Sequence, residues 1–220
     1  MRLENYEFQK MKYIVGYPDG YEEGKKYPVI LQLHGAGTRG DNIEVLRAGA
    51  FHFNCHHEYV GVAPLCSKNT WYDMFETLEA FAHMIAQAEF TDPERIYLTG
   101  ASMGGYAAWQ LAMSLPEYFA ALVPVCGGGM AWNAFRLANV PVWAHHGAKD
   151  PTVDVSESER MVASVNRNGG SAKLTVYPDV EHASWVNAYE NSLVFDWMME
   201  QKNKNLKALT DKFKGSEIYG

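Results

Sequence analysis

Ile96-Tyr97-Leu98-Thr99-Gly100-Ala101-Ser102-Met103-Gly104-Gly105-Tyr106-Ala107-Ala108 is the most informative stretch of the 220-residue chain. Its first four residues are apolar or β-branched, the composition of a buried strand, and after Gly104 comes a run of small helix formers up to Leu115. Between them lies Gly100-Ala101-Ser102-Met103-Gly104. In isolation G-x-S-x-G is weak, because at a glycine frequency of about 7% it arises by chance in roughly one such chain in ten. Placed between a strand and a helix, it gains a physical meaning. A serine at a sharp strand-to-helix turn must adopt a strained backbone conformation, and glycines two before and two after it let the helix come close to neighbouring strands. Ser102 is therefore the candidate nucleophile.

Outward from this elbow, short apolar runs alternate with helical stretches, the rhythm of a parallel sheet with crossover helices. Strands are expected at Phe8 to Tyr17, Tyr27 to Leu33, Tyr59 to Pro64, Arg95 to Thr99, Ala120 to Val125, Val140 to Ala144 and Lys173 to Tyr177. Helices are expected at Met74 to Phe90, Gly104 to Leu115, Ser156 to Asn168 and Ala183 to Gln201. The third opens on a capping box, Ser156-Glu157-Ser158-Glu159. With no linker or repeat, residues 1–220 read as one domain. In the 203–220 tail, Leu206, Leu209, Phe213 and Ile218 suit a helix docked on that domain, ahead of a frayed end or a contact in a homo-oligomer.

A serine hydroxyl attacks poorly unless a base takes its proton, and in a sheet of this kind the chain order is serine, acid, histidine. His145 and His146 come too early, at the end of a strand and before any suitable acid. His182, in the loop after the last strand, is the candidate base. Asp150, beyond the penultimate strand on the carboxyl edge where such sites form, is the candidate acid. Asp154 suits a helix cap and Asp179 a turn. The oxyanion of a tetrahedral intermediate needs donors, expected from Met103 N–H and, in the His34-Gly35-Ala36-Gly37 loop, from Ala36 N–H with Gly35 beside it. His34 reads as a loop-structuring histidine.

Composition bounds the rest. With 47% apolar and 20% charged residues the chain is that of a globular protein, and no apolar run is long enough to cross a bilayer. No apolar leader opens the chain, and a net charge of −7 without a basic cluster argues against a nucleic-acid partner. Cys55, Cys66 and Cys126, an odd number without C-x-x-C spacing, read as free thiols of a reducing compartment, so a cytoplasmic location is expected. His52, Cys55, His56 and His57 are crowded without a regular ligand spacing, and no metal or other cofactor is expected.

Tyr27-Pro28-Val29-Ile30-Leu31-Gln32-Leu33-His34-Gly35-Ala36-Gly37 with Arg39-Gly40-Asp41-Asn42, Ala63-Pro64-Leu65-Cys66 leading to Trp71, the elbow, and Phe195-Asp196-Trp197 together resemble the phospholipase/carboxylesterase group. Within it they are most similar to esterases known as predicted peptidases and to feruloyl-esterase and polyhydroxybutyrate-depolymerase-like hydrolases. The resemblance spans about residues 26 to 202. It implies an α/β-hydrolase fold, a mostly parallel sheet of seven to eight strands with helices on both faces, and a triad on Ser102, Asp150 and His182. Dienelactone hydrolases, relatives of this group, carry cysteine at the nucleophile, and serine here speaks against that assignment. Only 14 residues (126 to 139) separate the strands expected to end at Val125 and to start at Val140, too few for a cap domain. The expected activity is hydrolysis of short-chain or aromatic acyl esters through an acyl-enzyme, with a small-molecule ester as partner. A serine peptidase or thioesterase, or a non-catalytic binding module on the same fold, are the alternatives. Trp71, Trp132 and Trp185 are candidate substrate contacts, each equally able to be core.

Overall fold

A computed structural model describes residues 1–216. Its eight strands form one open sheet in the order β1-β2-β4-β3-β5-β6-β7-β8. They are β1 Arg2–Phe8, β2 Met11–Tyr17, β3 Tyr27–Leu33, β4 Val60–Pro64, β5 Thr91–Ala101, β6 Ala121–Val125, β7 Val142–Gly147 and β8 Ala172–Tyr177. Pairing is antiparallel for β1 with β2 and β2 with β4, and parallel from β4 to β8.

The parallel strands are buried on both sides, which explains why β3 reads as a nearly unbroken apolar run. Val29, Leu31 and Leu33 face a core shared with α2 (Phe75–Ala86), α3 (Met103–Ser114) and α4 (Ser156–Arg167). Ile30 faces the other way, with α5 (Trp185–Glu190) and α6 (Ser192–Glu200). On that same side α1 (Ile43–Gly49) packs Leu46 against Ile14 and Leu65. Between β6 and β7 there is only a 3-10 segment, Ala131–Leu137, and no cap covers the sheet's carboxyl edge.

Several elements differ from the sequence expectation. Phe8 to Tyr17 is not one strand but the turn and second arm of a hairpin. Gln9 and Lys10 take φ of 49° and 68°, the left-handed pair a two-residue hairpin requires, without the Asn or Gly that usually announces it. The final helix is broken at Asn191, whose side chain accepts from Leu193 N–H and caps α6. At α4 the capping box does not form; the Asp154 carboxylate takes Ser156 N–H instead. The tail forms α7 (Leu206–Ser216) with Leu209 fully buried, and Asn203 anchors it through Glu94 O and Glu117 O. Ile218 lies outside the described residues. All three cysteines are free, and no helix among the described residues is long and apolar enough to cross a membrane.

Candidate active site

Ser102 sits between β5 and α3 with φ 55° and ψ −118°, a conformation that non-glycine residues rarely adopt. The surrounding glycines show why the turn can be so tight. A Cβ on Gly104 would lie 2.0 Å from Leu33 O, one on Gly100 2.2 Å from Gly104 O, and one on Gly105 2.6 Å from Val125 O. Backbone meets backbone at each, so no side chain can yield.

Asp150 follows β7 and His182 follows β8, the two strands of one parallel pair. Their loops touch through main chain: a Cβ on Gly147 would stand 2.1 Å from Glu181 O. His182 Nε2 lies 2.8 Å from Ser102 Oγ, and His182 Nδ1 lies 2.7 Å from Asp150 Oδ2. A carboxylate can only accept, so Nδ1 carries the proton and Nε2 is left to receive one from the serine. Asp150 Oδ1 accepts from Thr152 and Val153 N–H at 2.8 and 2.9 Å. Burial raises the Asp150 carboxyl, but the Val153 amide, His182 and the Thr152 amide outweigh it, so the group sits below the ordinary carboxylate value. The competing acids are engaged elsewhere, Asp154 at the start of α4 and Asp179 on exposed Lys149.

Ala36 and Met103 open a 3-10 turn and α3 respectively, and neither N–H has a main-chain acceptor among the described residues. Gly35 brings this loop to the elbow, where an added Cβ would be 3.3 Å from Ala101 O. His34 holds the loop's shape. Its Nδ1 donates to Gly35 O and its Nε2 accepts from Cys66 N–H, which fixes a neutral ring, and burial lowers it to about 4.

These groups surround a cleft of about 730 Å³, walled by Ala36, Gly35, Trp185 and Tyr189 with Ser102 and His182 exposed to it. Trp185 stands edge-on to His182, ring centres 5.5 Å apart. Trp71 is not in the cleft: it is fully buried, and its Nε1 donates to His34 O. Trp132, 75% exposed, is not in the cleft either. A second hollow of about 710 Å³, beside Tyr27 and Arg95, opens at the amino ends of β3 and β5, away from Ser102.

Sequence reasoning missed His146 as part of the site. Its Nε2 donates to Val153 O at 2.9 Å and lies 3.3 Å from Asp150 Oδ2, while Nδ1 meets Ser158 Oγ at 2.7 Å. It thus pins the turn that holds the carboxylate. Cys126 is also close. Its sulfur, Asp150 and His182 offer atoms within 4.8 Å of one another, and burial pushes the thiol up to about 12, which keeps it protonated beside the triad. Of the crowded histidines, His57 pairs with Asp196.

The sheet order and the elbow define an α/β-hydrolase fold. Within it the chain belongs to the dienelactone hydrolase family, which it matches over residues 61–215. The match includes Ser102 and corrects the expectation that serine speaks against this assignment. The constraints of the elbow are steric contacts of backbone and glycine, and they hold for a hydroxyl as for a thiol. No curated protein matches in sequence. Among solved structures, a thermostable esterase is 29% identical with a TM-score of 0.80, over 91% of this chain and 63% of its own length. The chain therefore spans less than two thirds of that protein. The feruloyl esterase module from Clostridium thermocellum, solved as a mutant complexed with sinapinate, has 16% identity and a TM-score of 0.66, covering 88% and 86%. Pyrococcus horikoshii acylaminoacyl peptidase has 15% identity and a TM-score of 0.65, covering 92% and 42%. The last two show likeness of fold.

Proposed function

We propose that the chain is a serine carboxylic-ester hydrolase acting through an acyl-enzyme on short-chain or aromatic acyl esters. The observation that carries this is the continuous hydrogen-bonded line from Ser102 Oγ through His182 to buried Asp150, at 2.8 and 2.7 Å, opening on a cleft. Ser102 Oγ attacks the ester carbonyl as its proton passes to His182 Nε2, and Asp150 stabilises the imidazolium without taking the proton. The oxyanion meets Met103 and Ala36 N–H. The imidazolium then protonates the departing alkoxide, leaving the acyl group on Ser102. Water, deprotonated by the same histidine, attacks the acyl carbonyl and releases the acid and the free serine. Trp185 gives the cleft an aromatic wall suited to compact acyl groups, and the short β6–β7 connection leaves the entrance open.

A fluorophosphonate probe tests the reading. Labelling of the wild type that is lost in Ser102→Ala and nearly lost in His182→Ala is expected. Folded wild-type protein that stays unlabelled and cleaves no 4-nitrophenyl ester would overturn it.

A further inference from the structure

Gln32 is the polar exception in a strand that is otherwise apolar from Val29 to Leu33, and it is 9% exposed. Its neighbours in the strand, Leu31 and Leu33, face the large core, so its side chain leaves on the opposite side, toward the cleft that it lines with Ser102 and His182. One end of the carboxamide is committed. Gln32 Oε1 accepts from Phe51 N–H at 2.8 Å, which fixes the amide's orientation, because a backbone N–H must meet the oxygen and not the NH2. The other end, Nε2, has no partner among the described residues. Nor is it sealed in protein, unlike Trp109 Nε1, His145 Nε2 and Ser184 Oγ. Of the other hydrogen-bonding groups that line the cleft, the Tyr189 hydroxyl is already used. Thr99 Oγ1 donates to Val123 O, so it accepts from Tyr189 O–H at 3.0 Å. The Gln32 NH2 is thus a free donor on the wall of the cleft.

Resting on the ester-hydrolase reading, we propose that Gln32 is a specificity residue, its Nε2 donating to an acceptor oxygen carried by the ester away from the scissile carbonyl. The preferred substrates then bear an ether, hydroxyl or carbonyl oxygen in the part that enters the cleft. Hydrocarbon esters of the same length leave a largely buried donor unmet, and sites built around such donors reject the analogue that lacks the acceptor.

Two isosteric pairs test this, one for each side of the ester. The acyl pair is 4-nitrophenyl hexanoate against 4-nitrophenyl 4-methoxybutanoate; the alcohol pair is hexyl acetate against 2-propoxyethyl acetate, followed by acid release. Each pair gives a ratio of kcat/KM, oxygenated over hydrocarbon, in wild type, Gln32→Glu and Gln32→Met. Gln32→Glu keeps an oxygen for Phe51 N–H while removing the donor, so it separates recognition from loop anchoring. A fall of about tenfold in one of the ratios, in both variants, is expected, and the pair that moves says which side of the ester fills the cleft. Ratios unmoved in both pairs, with all rates falling together, would reduce Gln32 to an anchor and overturn the proposal while the esterase reading stands. A wild type that cleaves none of the four esters and resists the phosphonate probe would overturn both.

Discussion

A methyl group is enough to test the elbow. Because a Cβ on Gly104 falls 2.0 Å from the Leu33 carbonyl oxygen, Gly104→Ala must move either α3 or β3. We expect it to cost more than about 3 kcal/mol, in the range of severe overpacking, read as a drop in the urea midpoint, and to abolish phosphonate labelling. The acid is tested by charge. Asp150→Asn is expected to lower kcat on a 4-nitrophenyl ester by about 10⁴-fold, the scale of losing the correct histidine tautomer. Asp154→Asn and Asp179→Asn, which engage Ser156 and Lys149, should stay within about threefold of wild type; activity lost in either of them but kept in Asp150→Asn would reassign the acid. At this scale the sequence was eloquent about order and silent about support. Ser102, Asp150 and His182 follow from the succession of strand ends, and the structure brings the three together. His146 and Gln32 could not be found that way, because what makes them part of the site is a neighbour distant in sequence or a hydrogen bond to a turn, neither of which periodicity records.

Elements were legible where burial dictates composition and obscure where a single residue breaks a pattern. The bounds of β3 were readable because both its faces are buried. The hairpin after Phe8 was not, since Gln9 and Lys10 adopt left-handed φ without a glycine signal. The apolar spacing continues across the break between α5 and α6, so only the cap at Asn191 ends one helix and begins the next. Asn191→Ala is accordingly expected to destabilise the protein by about 1 kcal/mol. α7 gives a second test at this scale. Leu209 is fully buried against the main core, and Leu209→Ala should cost about 2–4 kcal/mol in chemical denaturation while leaving the KM for a nitrophenyl ester unaltered.

Across the whole molecule, two buried histidines set the response to acid. Burial lowers His34 to about 4 and His145 to about 3, the latter with help from Lys173. Unfolded, each would protonate near pH 6.5, so below that pH the unfolded chain binds more protons than the folded one. Stability therefore falls as pH drops from 6.5 toward these values, by about 2 kcal/mol for each histidine between pH 6.5 and 4.5. Urea midpoints over this range should show the decline, and His145→Gln should make it shallower; an equally steep decline in the variant would refute the assignment.

The contact of Gly147 with the Glu181 carbonyl makes the strip bearing the acid and the strip bearing the base behave as one rigid jaw, joined by main chain. Side chains on its working surface can change without retuning the jaw. Exchanges at Thr152 or Val186, which border the cleft, should alter which esters are accepted while the proton relay keeps its register. A single carbon added at Gly147 does the reverse: it leaves the cleft's lining intact and drives the two halves of the relay apart.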